Sequence, residues 1–207
     1  MGSNSTKEKE DKEEISGKEE IIKKQVQYAK FEVVKCPSKK FDRIRVRLAE
    51  ISSIAEEEDE FNIWDGSTIL VGCTSDGVIQ AFVCVIDTDS YLDVGRKEIK
   101  DENELKIDFE KRGGISGKKG GFITSLSGNI KEYYNLGKEL MKNLNMITNG
   151  LEYLFLHVSE RKATKDKLIR LYENNGFKPV QEKYIEDNES FIIMRKKYYK
   201  LITNIKK

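Results

Sequence analysis

The segment 151–158 constrains this chain more than any other feature, because nearly every residue in it is apolar. A strand that is apolar along its whole length fits the centre of a sheet covered on both faces. A helical pattern ends just before it at Asn149 and Gly150, and a second helical pattern begins at about Thr164. The segment is therefore predicted to be a central strand between two helices.

The rest of the chain alternates between strand and helix patterns. Ser75, Asp76 and Gly77 join two apolar segments and are typical of a hairpin turn. Because a hairpin lies among strand–helix units, the sheet is mixed and not doubly wound. The predicted fold class is α/β (α+β), with a single mixed, largely antiparallel central sheet and helices on both faces. Further strands are predicted at 31–35, 68–73, 78–87, 121–127, 178–184 and 190–196, and helices at 38–55, 130–147 and 164–174.

Composition excludes several classes of protein. The chain of 207 residues is long enough for about one domain, and its 37 basic and 36 acidic residues leave a net charge of +1. This balance disfavours a nucleic-acid partner, since phosphate binding needs clustered cationic excess. No apolar run approaches the length of a transmembrane helix. Cys36, Cys73 and Cys84 lack metal-ligand spacing and His157 is the single histidine, so we expect free thiols, no metal and a cytoplasmic location.

The charges are concentrated near the N-terminus. Residues 7–24 are mostly Lys, Glu and Asp and cannot bury enough apolar area to offset the entropy of ordering. We therefore predict a charged, disordered arm at 1–28 and a folded domain at 29–207. Residues 1–6 also fit the N-myristoylation pattern, with the lipid on Gly2 and weak membrane association, although a cloning scar gives the same pattern.

A second polar stretch covers residues 88–119. It is predicted to be an insertion over one side of the sheet, with a short helix at 102–111. Its glycine-rich end, 113–121, differs from a phosphate-binding Walker loop, because the spacing is one residue short and Lys119 stands where Ser or Thr is required. A strand also follows this loop, where a Walker loop leads into a helix. The stretch is not expected to bind nucleotide phosphate.

Residues 171–177 read Leu-Tyr-Glu-Asn-Asn-Gly-Phe. This seven-residue segment resembles the (L/F)-Y-E-x-x-G-F signature of the GCN5-related N-acetyltransferases, the GNAT superfamily. The preceding strand–helix–strand unit, 122–158, matches the core of that family, and 191–196 resembles its last strand. The resemblance covers about 31–198 and leaves the insertion unmatched. It implies a GNAT-like acyl-CoA N-acyltransferase fold and transfer of an acetyl group from acetyl-CoA to a primary amine.

The resemblance also implies where acetyl-CoA binds. The strand 121–127 would splay from 151–158 to admit the pantetheine, and the pyrophosphate would lie at the start of the next helix. The family motif [QR]-x-x-G-x-[GA] aligns with 132–137, where Glu132 replaces the first residue and Asn135 the middle glycine. Gly137 is retained, although a helix glycine also serves close packing. The predicted cofactor-binding residues are Leu126, Ser127, Gly128, Lys131, Asn135, Gly137 and Lys138.

Two residues are candidates for catalysis. In relatives the tyrosine equivalent to Tyr172 lies near the sulfur of coenzyme A and protonates the leaving thiolate. His157 falls on the central strand, with Tyr153 and Phe155 on its face, and an imidazole is suited to act as a general base. The structural alternatives are a core aromatic for Tyr172 and a packed, hydrogen-bonded histidine for His157. Many relatives use water chains, so a single base is not required.

Three functions fit these patterns. The first is an N-acetyltransferase whose partners are acetyl-CoA and an amine acceptor, either a small molecule or a protein. The second is a degenerate member of the family that binds or scaffolds without catalysis, and the third is an unrelated α/β interaction domain. The acceptor is not defined by the sequence, although 38–55 and 88–119 are expected to determine it. A homodimer is compatible with the first function.

Overall fold

The computed structural model describes residues 24–52, 65–129, 133–161, 165–186 and 188–198. The strands are β1 (Lys24–Gln25), β2 (Lys30–Lys35), β3 (Ser67–Cys73), β4 (Ile79–Asp87), β5 (Gly120–Gly128), β6 (Tyr133–Tyr134), β7 (Tyr153–Ser159), β8 (Lys178–Glu186) and β9 (Glu189–Lys197). The helices are α1 (Lys39–Ser52), α2 (Thr88–Glu98), α3 (Glu102–Lys111), α4 (Leu136–Lys142), α5 (Asn145–Thr148) and α6 (Lys165–Glu173).

A seven-stranded mixed sheet forms the centre of the fold. Its strand order is β2–β3–β4–β5–β7–β9–β8, and every neighbouring pair is antiparallel except β5 with β7. The predicted class, a mixed and largely antiparallel sheet, is confirmed. The apolar segment 151–158, predicted to be the central strand, forms most of β7, which lies between β5 and β9.

Helices cover both faces of this sheet, as predicted. On one face α1 packs against β2, β3 and β4 through a cluster that includes Phe41, Leu48 and Phe82. On the other face α4 and α6 pack against β4, β5 and β7 through a larger, mainly aliphatic cluster that includes Leu140 and Leu156. Helix α1 begins as its sequence indicates, because the Ser38 hydroxyl accepts a hydrogen bond from the amide of Phe41. Its predicted residues 53–55 lie outside the described part of the chain.

The insertion 88–119 folds as two helices. The predicted helix at 102–111 is confirmed as α3, but α2 has no counterpart in the prediction. Helix α2 begins because the carboxylate of Asp87 accepts a hydrogen bond from the amide of Ser90. Its Tyr91 ring then contacts Phe109 of α3 and Phe122 of β5, at 5.7 Å between ring centroids in each case. The insertion covers the same face of the sheet as α1, over the parallel pair β5 and β7.

The described structure begins within the stretch that was predicted to be a disordered arm. Strand β1 pairs in parallel with β6, with Lys24 opposite Tyr133. Val26 is only 5% exposed and belongs to the aliphatic cluster beneath α4. Residues 24–28 therefore belong to the domain. Val26 supplies the buried apolar side chain that anchors them. Gly2 and the rest of 1–23 lie outside the described residues.

The helix predicted at 130–147 is wrong in its first part. Tyr133 and Tyr134 form β6, and helix begins only at Leu136. Asn135 has φ 60° and lies in the left-handed region, which prevents a right-handed helix from continuing through it. Pairing with β1 then gives residues 133–134 an extended partner. The predicted helical structure is then found as α4 and α5, and α5 ends at Thr148, close to the predicted end at residue 147.

The predicted end of α6 and the predicted free thiols agree with local geometry. Gly176 has φ 85°, and the amide of Phe177 donates to the carbonyl of Tyr172, as expected for a glycine helix cap. The three cysteines are buried and unpaired. Among the described residues, no helix is long and apolar enough to cross a bilayer, and no cluster of His, Cys, Asp and Glu could hold a metal ion.

Candidate active site

A cleft opens between β5 and β7 because the two strands diverge. They pair at only three positions, ending with Phe122 opposite Phe155. Beyond this point their edges enclose a cavity of about 280 Å³. The cavity is lined by Ser52, Ile123, Thr124, Ser125, Leu126, Ser127, Leu156, His157, Val158, Ser159, Leu168 and Tyr172.

A bulge in β5 lies at the closed end of this cleft. Ser125 pairs with Cys84 and Ile123 pairs with Val85, so that Thr124 is an extra residue on β5. The hydroxyl of Thr124 is buried and interacts with the thiol of Cys84 on β4. A bulge bends its strand, and here the bend falls where β5 leaves β7.

Tyr172 lies on α6 and lines the cleft from the aliphatic face. Its side chain is 6% exposed, and its ring contacts Phe177 at 5.8 Å between centroids. Burial alone raises the pKa of Tyr172 to about 12. The phenol is therefore protonated at neutral pH and can donate a hydrogen bond into the cleft. It is a weaker acid than a thiol, whose ordinary pKa is about 8.5, so complete proton transfer to a thiolate would be uphill.

His157 lies on the opposite face of β7, and its predicted position beside Tyr153 and Phe155 is confirmed. Its Nε2 atom is 2.6 Å from the carbonyl oxygen of Arg112, at the end of α3. Because a carbonyl only accepts, Nε2 must carry the proton, and the neutral ring has its lone pair on Nδ1. Burial lowers the pKa of His157, although the hydrogen bond to Arg112 opposes this shift.

Aromatic rings surround His157. Phe122, Tyr184 and Phe191 lie with their ring centroids 5.0, 5.3 and 5.9 Å from that of the imidazole. The geometry thus supports the structural alternative, a packed and hydrogen-bonded histidine, and also leaves a neutral imidazole at the edge of the cleft. A neutral imidazole is the form that can accept a proton.

Leu126 and Ser127 are the two predicted cofactor residues that line the cleft. The hydroxyls of Ser125 and Ser127 are 3.2 Å apart and point to the same side of β5. Gly128 ends β5 outside the cavity, and a Cβ atom at this position would lie 2.8 Å from a methyl group of Leu136. The absence of a side chain at Gly128 therefore allows the start of α4 to approach β5.

The other predicted cofactor residues lie around the start of α4. Asn135 is the residue before α4, and its φ of 60° reproduces a conformation that glycine usually supplies. Gly137 lies in the first turn, where a Cβ atom would be 3.0 Å from Leu171 and 3.4 Å from Leu126. Its packing role is therefore confirmed. Lys138 is exposed in the same turn, and Lys131, like Glu132, lies outside the described residues.

Sequence reasoning missed a polar pair at the open end of the cleft. Ser159, the last residue of β7, lines the cavity, and its hydroxyl donates to the carboxylate of Glu189. The pair depends on the register of β7 with β9, in which Ser159 lies opposite Phe191. Only the final apolar-to-polar step of the strand at Ser159 could have indicated this position.

Comparison with known proteins identifies the fold through structure alone. No family model and no curated protein matches the sequence. The solved structure of histone acetyltransferase HPA2 and related acetyltransferase from Corynebacterium glutamicum superposes with a TM-score of 0.52 at 13% identity, covering 82% of this chain and 97% of that one. FeeM, an N-acyl amino acid synthase from uncultured soil microbes, gives 0.52 at 11% identity, with coverages of 81% and 91%.

A chain of the NatC complex bound to Gag peptide and CoA gives a TM-score of 0.51 at 10% identity, covering 82% of this chain and 98% of that one. These proteins have the acyl-CoA N-acyltransferase fold. The chain described here has the GNAT fold, and the expectation drawn from residues 171–177 is confirmed for the fold.

Proposed function

We propose that the protein is an N-acetyltransferase that moves an acetyl group from acetyl-CoA to a primary amine. The observation that carries this proposal is the divergence of β5 and β7 after Phe122, which opens a cleft that Tyr172 and His157 both line. The NatC chain of similar fold was solved with CoA, which supports a cosubstrate of this type. The acetyl group in particular is inferred from the family resemblance.

The cleft fits the pantetheine arm of such a cosubstrate. A pantetheine is a flexible chain with amide groups, and an unpaired strand edge offers amides and carbonyls to it. The hydroxyls of Ser125 and Ser127 add polar groups along the same wall. The pyrophosphate is proposed to lie near Gly128, Lys131, Asn135 and Lys138, which the family resemblance assigns to it.

The chain's own residues would act on two protons. His157, neutral because burial lowers its pKa, is the candidate group to accept a proton from the attacking amine at Nδ1. Tyr172 is the candidate general acid, and its hydroxyl would donate a hydrogen bond to the departing sulfur. Because its pKa is about 12, Tyr172 would stabilise the developing thiolate before any complete proton transfer. Acetyl-CoA supplies the activated thioester.

Titration calorimetry with acetyl-CoA tests the cosubstrate. We expect saturable binding, followed by release of free thiol when an amine acceptor is added from a panel of small amines and peptides. Absence of saturable binding at millimolar acetyl-CoA would refute the proposal. Ser159→Ala is a useful companion variant, because it changes the open end of the cleft without touching Tyr172 or His157.

A catalytically degenerate protein with the same fold is the second candidate. It is favoured by the departures from the pyrophosphate motif, with Glu132 in place of Gln or Arg and Asn135 in place of glycine. This candidate predicts acetyl-CoA binding without turnover of any amine in the panel. It also predicts that Tyr172→Phe and His157→Gln leave the affinity for acetyl-CoA unchanged and alter only the stability of the protein.

A further inference from the structure

We propose that residues 24–28, here called the N-terminal strap, fix the start of α4 beside the end of β5. In this strap, Tyr28 is a positioning residue for the coenzyme A cleft. This inference rests on the proposed function, since it assigns the strap a role in cosubstrate binding. It goes beyond that function because Tyr28 does not line the cleft and is distant from it in sequence.

The strap lies against the segment that leads into α4. Lys24 and Gln25 pair in parallel with Tyr133 and Tyr134. One residue further on, Val26 is 5% exposed and packs in the same aliphatic cluster as Leu136. Main-chain pairing and apolar burial thus fix the strap on this segment independently of each other.

Tyr28 adds a directed contact with the helix itself. Its hydroxyl donates a hydrogen bond of 3.1 Å to the carbonyl of Leu136, the first residue of α4. Its ring lies over Gly72 of β3, where a Cβ atom would be only 2.6 Å from the ring. Tyr28 therefore connects β3 to the start of α4, and Gly72 provides the space for it.

The start of α4 in turn contacts the wall of the cleft. The side chain of Leu136 fills the space that a side chain at Gly128 would occupy, at the end of β5. Gly137 is approached closely by Leu126, which lines the cleft. A shift of the first turn of α4 would therefore be transmitted to Leu126. Holding that turn keeps the cleft in one shape, and a preorganised site binds its ligand more tightly.

The test uses the full-length chain with Tyr28→Phe, which removes the hydroxyl and keeps the ring. Titration calorimetry with coenzyme A is expected to show a dissociation constant raised about threefold to tenfold, the range expected for one hydrogen bond. Gly72→Ala should act in the same direction, because its methyl group would displace the ring of Tyr28, whose atoms are the nearest to it.

Tyr198→Phe is the matched control. Tyr198 is also half-buried, and its hydroxyl makes a single hydrogen bond of 3.2 Å, with Thr148, at a site that does not line the cleft. Both Tyr→Phe variants should lower thermal stability by similar amounts. Only Tyr28→Phe should weaken coenzyme A binding and accelerate amide hydrogen exchange at 133–142, which a merely structural loss would not confine to this segment.

The outcomes separate this inference from the proposed function. If the wild-type chain binds coenzyme A and Tyr28→Phe binds it equally well, the role of the strap is refuted while the proposed function stands. If the wild-type chain does not bind coenzyme A, the proposed function fails and the inference fails with it. Should Gly72→Ala not fold, Tyr28→Phe with its control decides the question alone.

Discussion

The two faces of β7 are held by different kinds of contact. On one face Leu154 and Leu156 pack in the aliphatic cluster under α4 and α6. On the other face Tyr153 and Phe155 meet the insertion through aromatic rings, and His157 bonds to a main-chain carbonyl of it. The aliphatic face is filled by helices that the GNAT resemblance predicts. The aromatic face is covered by a helix pair to which that resemblance assigns no counterpart.

The difference shows how an added element is fixed on an existing sheet. The hydroxyl of Tyr153 accepts a hydrogen bond of 2.7 Å from the amide of Ile115, and Arg195 donates two to the carbonyl of Gly113. With the His157 bond to Arg112, three side chains of the sheet hold the main chain at 112–115. Aliphatic packing tolerates small rotations, whereas directed bonds to the backbone set one position for the insertion.

The largest expected effect on this comparison is a cavity on the aliphatic face. Leu156→Ala should lower the free energy of unfolding by about 2–5 kcal/mol, because Leu156 is 1% exposed and its neighbours can only partly fill the space. Urea denaturation measures this loss. Val46→Ala, at a site that is 55% exposed, should change stability by less than about 0.5 kcal/mol. A loss below about 1 kcal/mol for Leu156→Ala would show that this face is loosely packed.

The next effect concerns the Tyr172 hydroxyl, which the aliphatic face presents to the cleft. Tyr172→Phe should lower kcat about 100-fold, the lower range for loss of one hydrogen-bond donor to a developing negative charge, and should leave the dissociation constant of coenzyme A unchanged. Steady-state kinetics and calorimetry together check this split. Equal turnover in the variant would reduce Tyr172 to a core aromatic.

On the aromatic face, Tyr153→Phe should cost about 1–2 kcal/mol of stability, since the amide of Ile115 loses its acceptor. Hydrogen exchange should accelerate at 113–118 in particular. Tyr91→Phe is the control, because Tyr91 lies in the same aromatic cluster and its hydroxyl makes no hydrogen bond with the described residues. Equal losses in both variants would show that rings, and not hydrogen bonds, hold the insertion.

The smallest effect is a pH dependence. Burial lowers the pKa of His157 in the folded chain, so the unfolded chain binds more protons as the pH falls below about 6.5. The stability that the neutral ring provides is complete above that pH and is lost as the pH falls through the folded pKa. His157→Gln keeps a donor for the Arg112 carbonyl but does not titrate. Its unfolding free energy should therefore fall less between pH 7 and pH 5, and parallel curves would contradict this.

Local signals predicted much of the fold. The uniformly apolar segment gave β7, and Gly176 with Phe177 marked the end of α6. Helix α2 was missed because its few apolar residues, Tyr91, Leu92 and Val94, stand in a polar stretch that also contains Gly95. The break at Asn135 was missed for the opposite reason. The apolar spacing continues through it, and the pairing with β1 that stops the helix comes from a distant part of the chain.

The candidate site was predictable to the same degree. Alternation along β7 placed His157 beside Tyr153 and Phe155, and the GNAT resemblance of residues 171–177 placed Tyr172 at the cleft that both residues line. The partners of these residues were not predictable, because the Arg112 carbonyl is 45 positions from His157 and is brought there by the packing of the insertion. Glu189 reaches Ser159 in the same way, through the register of β7 with β9.

The short parallel pairing of β5 and β7 is a pivot between two halves of the sheet. Four strands on one side and three on the other meet along only three residue pairs, which end at Phe122. Ser127 lies about 17 Å beyond this pivot at the usual rise of a strand, so a rotation of about 5° between the two halves would move it by about 1.5 Å. Tyr91 and Phe109 of the insertion pack at the pivot itself. Small changes there would be amplified into the width of the cleft at its open end.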